Sequence, residues 1–183
     1  MTDVSIDYDL GQHGWSSFTL RVGDRAVEVG TFGYCTDALG DIVRAALAMA
    51  AGSWRARVSL DAEPFEWRLV LVRRPYRNGE AAQLDLQILT FPDIYAEAPD
   101  TEGALKFEAI CDVEAFARAV AQAAGQVWER HGADGYNQLW AGHEGFPLRA
   151  LAALTTALGT SEAPRPVMDV SSLRVIVAAA PDA

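Results

Sequence analysis

Apolar and polar residues alternate from Val4 to Tyr8, the pattern of a strand with one face buried. Gly11 and Gly14 interrupt it, and Trp15, Phe18, Leu20 and Val22 open a second run. Gly23-Asp24 then predicts a hairpin turn into a third strand over 26–29. At Thr36 the period changes. Leu39, Ile42, Val43, Ala46 and Leu47 recur at helical spacing, with Thr36 placed to cap and Asp37 in the first turn, where the helix dipole favours negative charge. Gly52 closes this element, so a helix is predicted over 37–51.

Alternation then returns. Trp54, Ala56, Val58 and Leu60 share one face, as do Phe65, Trp67, Leu69 and Leu71, and then Leu84, Leu86 and Ile88. An acidic, proline-containing loop over 92–103 precedes a further strand over 104–110. The clearest helix follows Asp112, with an apolar stripe of Val113, Phe116, Val120, Ala123, Ala124 and Val127 and Gly132 as its stop. Tyr136, Leu139 and Trp140 fit one face of a short helix, and Pro147 starts a last one that turns Leu148, Leu151 and Leu154 inward. Strands followed by helices, without regular βαβ alternation, predict an α+β fold. The expected form is an antiparallel meander sheet of about six strands with two to four helices packed against it.

Residues 1–159 are expected to form this single domain. Residues 160–183 open on a proline-containing linker and hold the apolar run Leu173 to Ala178. That run reads as a strand or arm that pairs with a sheet edge or with a second copy of the chain.

Charge narrows the partners. The 183 residues carry 15 Lys and Arg against 25 Asp and Glu, a net of −10. Such a chain repels phosphate, and its densest arginine group (Arg68, Arg73, Arg74, Arg77) is interleaved with Glu63, Glu66 and Glu80. Nucleic acid and anionic membrane are therefore not expected as partners. An acidic surface does suit a basic protein. Cys35 and Cys111 are too few for a disulfide framework and sit in apolar contexts, so two buried, reduced thiols are expected. The acidic N-terminus does not resemble a signal peptide, which points to the cytoplasm. All basic residues except Lys106 are arginine, the usage of a GC-rich bacterial genome.

Candidate chemistry is sparse. Cys35 lies just before a helix N-terminus, where thiol pKa values fall, yet no histidine stands in a context that makes it a base, and a packed thiol is the expectation. His131 and His143 lack metal-ligand spacing, and neither a Walker loop nor a dinucleotide fingerprint occurs. No metal, cofactor or catalytic residue is expected. Asp61, Glu63 and Glu66 surround Pro64 between two strands; solvated acids at a hairpin tip suit contact with a basic partner better than acid–base catalysis. Tyr136, Trp140, His143 and Phe146 lie among glycines, the most ligand-like stretch of the chain.

The segment Tyr34-Cys35-Thr36-Asp37-Ala38-Leu39-Gly40-Asp41, with Glu63-Pro64-Phe65-Glu66-Trp67-Arg68 after Trp54, resembles short uncharacterised bacterial α+β proteins. Some proteins of that appearance are similar to immunity proteins of polymorphic toxin systems. The resemblance implies a stoichiometric binding protein and carries over no catalytic residue. The expectation is thus a non-enzymatic, acidic protein-binding module with Asp37, Asp41, Asp61, Glu63 and Glu66 as contacts. Its partner would be a basic protein or a second copy of the chain. The competing expectation is a small-molecule-binding domain or enzyme with a pocket near Trp140 and His143.

Overall fold

A computed structural model describes residues 2–75, 81–140 and 144–159. Its elements run β1 (Val4–Leu10), β2 (Ser16–Val22), β3 (Arg25–Phe32), α1 (Ala38–Ala50), β4 (Arg55–Ala62), β5 (Phe65–Arg73), β6 (Gln83–Phe91), β7 (Ala104–Asp112), α2 (Val113–Trp140) and α3 (Leu148–Ala157). Two short 3-10 turns, Ile94–Ala96 and Asp100–Glu102, lie between β6 and β7. The class is α+β, as the pattern predicts. The apolar run Leu173 to Ala178 lies outside the described residues.

The strands do not form one meander sheet. They form two antiparallel sheets, β1-β2-β3 and β4-β5-β6-β7. Alternation in the sequence fixes which side of each strand is apolar, and it reads the same for one sheet or two. The division comes from α1, whose 13 residues carry the chain through the helical layer between β3 and β4.

One apolar core joins both sheets to the helices. Tyr8, Phe18, Leu20 and Phe32 from the first sheet and Leu60, Leu71, Leu86 and Ile88 from the second pack with Leu39, Val43, Phe116, Val120 and Leu151. Burial of this kind stabilises by about 25 cal/mol per Å² of apolar surface. In β1 the register leaves Asp7 and Asp9 on the outer face while Tyr8 and Leu10 point inward. α2 is broken at Gly132, whose φ of 61° and ψ of −170° are not helical. The predicted stop is therefore real, and the short predicted helix is the second half of α2.

The outer face of the second sheet has its own cover. Even-numbered residues of β5 point there, and Val70 packs with Leu89 and Phe91 beneath Ala98 of the 92–103 connection. Arg68 anchors that connection. It donates to both Glu66 carboxylate oxygens at 2.7 and 2.8 Å, to the Ala98 carbonyl at 2.7 Å and to Asp100 at 2.7 Å. Its guanidinium lies over the Phe91 ring, 3.9 Å from the centroid. Two aromatics assigned by alternation to inward faces are exposed instead: Trp54 precedes β4 and Phe65 is the first residue of β5, so neither has a strand neighbour beyond it to cover its ring.

Candidate functional site

Two backbone hydrogen bonds hold connections against neighbouring elements at one end of the molecule. The Gly33 N–H donates to the Asp61 carbonyl at 2.6 Å, which joins the β3–α1 connection to the end of β4. The Gly14 N–H donates to the Leu139 carbonyl at 2.7 Å, which joins the β1–β2 turn to the end of α2. Gly14 has a φ of 77°, and a Cβ there would lie 2.7 Å from the Trp140 carbonyl oxygen. The turn can approach α2 this closely only with glycine.

Within this frame Cys35, Asp61 and Glu63 meet: one donor atom from each lies within 4.8 Å of the other two. The Cys35 thiol points at a Glu63 carboxylate oxygen 3.7 Å away. Asp61 is 1 % exposed; its Oδ1 accepts the Glu63 N–H at 3.0 Å, and its own N–H reaches the Thr36 hydroxyl at 3.4 Å. The expectation of two buried thiols is corrected, because Cys111 is buried and Cys35 is exposed. Phe32 fills the core, and Cys35 falls three residues later, in the connection rather than the strand.

The electrostatics are also the reverse of an activated thiol. Hydrogen bonding to Asp61, then desolvation and the charges of Asp61 and Glu63, holds the Cys35 thiol above its ordinary pKa. At neutral pH the group is a protonated donor and a poor nucleophile. A metal ion would have to displace that proton and would find one soft sulfur beside two hard carboxylate oxygens, a mixed set. This grouping was illegible in the sequence because 26 positions separate Cys35 from Asp61.

The acids singled out from the sequence divide by environment. Asp37 precedes α1 with its side chain 10 % exposed, and it shares Arg44 with the more exposed Asp41 at 2.6 and 2.7 Å. Glu63 is exposed, whereas Asp61 and Glu66 are buried as direct cross-strand partners in β4 and β5. Asp37, Asp61 and Glu63 thus come to the same end, and Glu66 serves Arg68 behind them. Trp140 is 1 % exposed and packs on Tyr136 with ring centroids 6.4 Å apart. His143 lies outside the described residues.

Three residues that the sequence reading did not single out complete the surface. Trp15 and Tyr34, on the connections, and Phe65, the first residue of β5, are exposed large aromatics at this end. The Trp15 ring borders Gly33, 3.6 Å from where a Cβ would stand. A signal was present: each follows a turn residue directly, as Gly14-Trp15, Gly33-Tyr34 and Pro64-Phe65. A ring at or beside the end of a strand is flanked by the sheet on one side only. No family model, curated protein or solved structure matches the chain.

Proposed function

We propose that this chain is a non-enzymatic binding module that engages a basic protein through the end carrying Trp15, Tyr34 and Phe65. The observation that supports this reading is the placement of three exposed aromatics, Trp15 and Tyr34 on connections and Phe65 at the start of β5, at an end where backbone hydrogen bonds from Gly14 and Gly33 hold those connections in place. Rigid aromatics are the usual anchors of protein interfaces. Exposed carboxylates adjoin them: Glu63 in the β4–β5 turn, and Asp7 and Asp9 along the outer face of β1 leading to the Trp15 turn. In a chain of net charge −10 these steer a cationic partner toward the aromatic anchors. Asp41 and Glu63 are contact residues in this reading, and the half-buried Asp37 and the buried Asp61 and Glu66 support the segments that present them.

The resemblance to immunity proteins makes a basic bacterial toxin the first partner class to examine, in a cytoplasmic setting with both thiols reduced. Among the described residues no helix is long and apolar enough to cross a membrane. The test is a low-salt pull-down eluted by a salt step, run in parallel with the wild-type chain and the variant Trp15→Ala/Tyr34→Ala/Phe65→Ala, both checked for fold by circular dichroism. A stoichiometric basic protein, released by salt from the wild type and not retained by the variant, is expected. Equal retention by both chains, or elution that ignores salt, refutes the reading.

A further inference from the structure

Beneath the same end of the molecule, four buried side-chain atoms make no hydrogen bond among the described residues: Tyr8 Oη, Ser16 Oγ, Asp37 Oδ1 and Tyr136 Oη. Tyr8, Ser16 and Tyr136 are 2 %, 3 % and 0 % exposed. The four come from four places in the chain: β1, the start of β2, the residue before α1, and the second half of α2. Ser16 pairs with Leu10, two residues along β1 from Tyr8, so both side chains fall on the inner face. The bond from Gly14 to Leu139 draws the same turn against the part of α2 that carries Tyr136. Asp37 acts electrostatically on both phenols and Tyr8 on Tyr136, while the Ser16 hydroxyl comes near hydrogen-bonding reach of the Tyr8 hydroxyl.

We infer that these four atoms form a buried binding site for a small neutral hydrogen-bonding molecule, water, which bridges β1, β2, α1 and α2. The donor and acceptor inventory sets the class. Asp37 Oδ1 can only accept, so the occupant must donate to it, while the three hydroxyls can donate or accept. The charge of Asp37 is already met by Arg44 at 2.6 Å on Oδ2, and burial keeps both phenols protonated; the site therefore calls for no added charge. A buried water takes two to four polar partners, and four are offered here. An apolar occupant would leave every one of these atoms with its desolvation penalty unmet. The inference does not depend on the proposed partner.

The test combines Tyr136→Phe and Tyr8→Phe, each a loss of one hydroxyl, with NMR magnetisation transfer from water to the ring protons of Tyr8 and Tyr136 in the wild-type chain. A bridging water predicts a melting temperature lower by about 2–4 °C in each variant, together with cross-peaks from a long-lived water. An unchanged or raised melting temperature in both variants overturns the inference, because deleting an unpartnered hydroxyl costs nothing. A fall without water cross-peaks also overturns it, since the hydroxyls would then bond one another directly.

Discussion

Replacing Arg68 with methionine tests whether the outer face of the second sheet is held by an ion pair or by its apolar patch. The Arg68 and Glu66 side chains are each 2 % exposed. Two hydrogen bonds of 2.7 and 2.8 Å join them, and further bonds run from Arg68 to Ala98 and Asp100. Methionine keeps much of the apolar volume over Phe91 but leaves the Glu66 carboxylate buried with, among the described residues, only the Ser59 hydroxyl as its side-chain donor. Breaking one side of a buried pair costs about 3–5 kcal/mol. For a chain of this size that corresponds to a fall of roughly 6–20 °C in melting temperature. Urea denaturation read by tryptophan fluorescence supplies the free energy. The variant Glu66→Gln/Arg68→Met should recover most of the loss, because no unpaired charge then remains. A single-variant cost below about 1 kcal/mol, typical of an exposed pair, would refute the reasoning, as would a double variant as unstable as the sum of the singles. Charge reversal at Glu66 is accordingly expected to unfold the chain rather than to slow association.

Three further outcomes follow from the same geometry. Cys35 should alkylate more slowly at pH 7.5 (an assay condition set at about one unit below a free thiol's pKa) than an unstructured cysteine, and faster in Glu63→Gln. Cys111, whose thiol burial pushes up to about 12, should react only on unfolding; a fast wild-type Cys35 would contradict the hydrogen-bonded arrangement. At Asp100, burial raises the carboxyl pKa, but Arg68 and Arg55 outweigh it and hold the group below its ordinary value. Its stabilising contribution is therefore complete above the unfolded carboxyl pKa of about 3.9 and is lost as pH falls through the lower folded value. Acid titration of Asp100→Asn should show a shallower loss of stability in that window, and an identical profile would contradict the pairing. Finally, Gly14→Ala combines a left-handed φ with contact on the Trp140 carbonyl and should cost about 1–3 kcal/mol, measured by thermal melts; a neutral substitution would show that the turn does not bear on α2.

The sequence by itself determined the α+β class, the helix now seen as Ala38–Ala50, the stop at Gly132 and the inward faces of most strands, because these depend on local period and backbone preference. The tertiary structure decided what period cannot carry. Whether consecutive strands share a ladder depends on where α1 takes the chain, so one expected sheet became two. Burial of Asp61 and Glu66 depends on what crosses over them: the bond from Gly33 covers one, and the connection anchored by Arg68 covers the other. Carboxylates flanking a turn look alike in sequence whether they are solvated or enclosed. Cys35 met Asp61 and Glu63, and Trp15 met Gly33, only when distant connections came together. A site assembled from segments far apart in the chain leaves no spacing to read, because the forces that assemble it act through space.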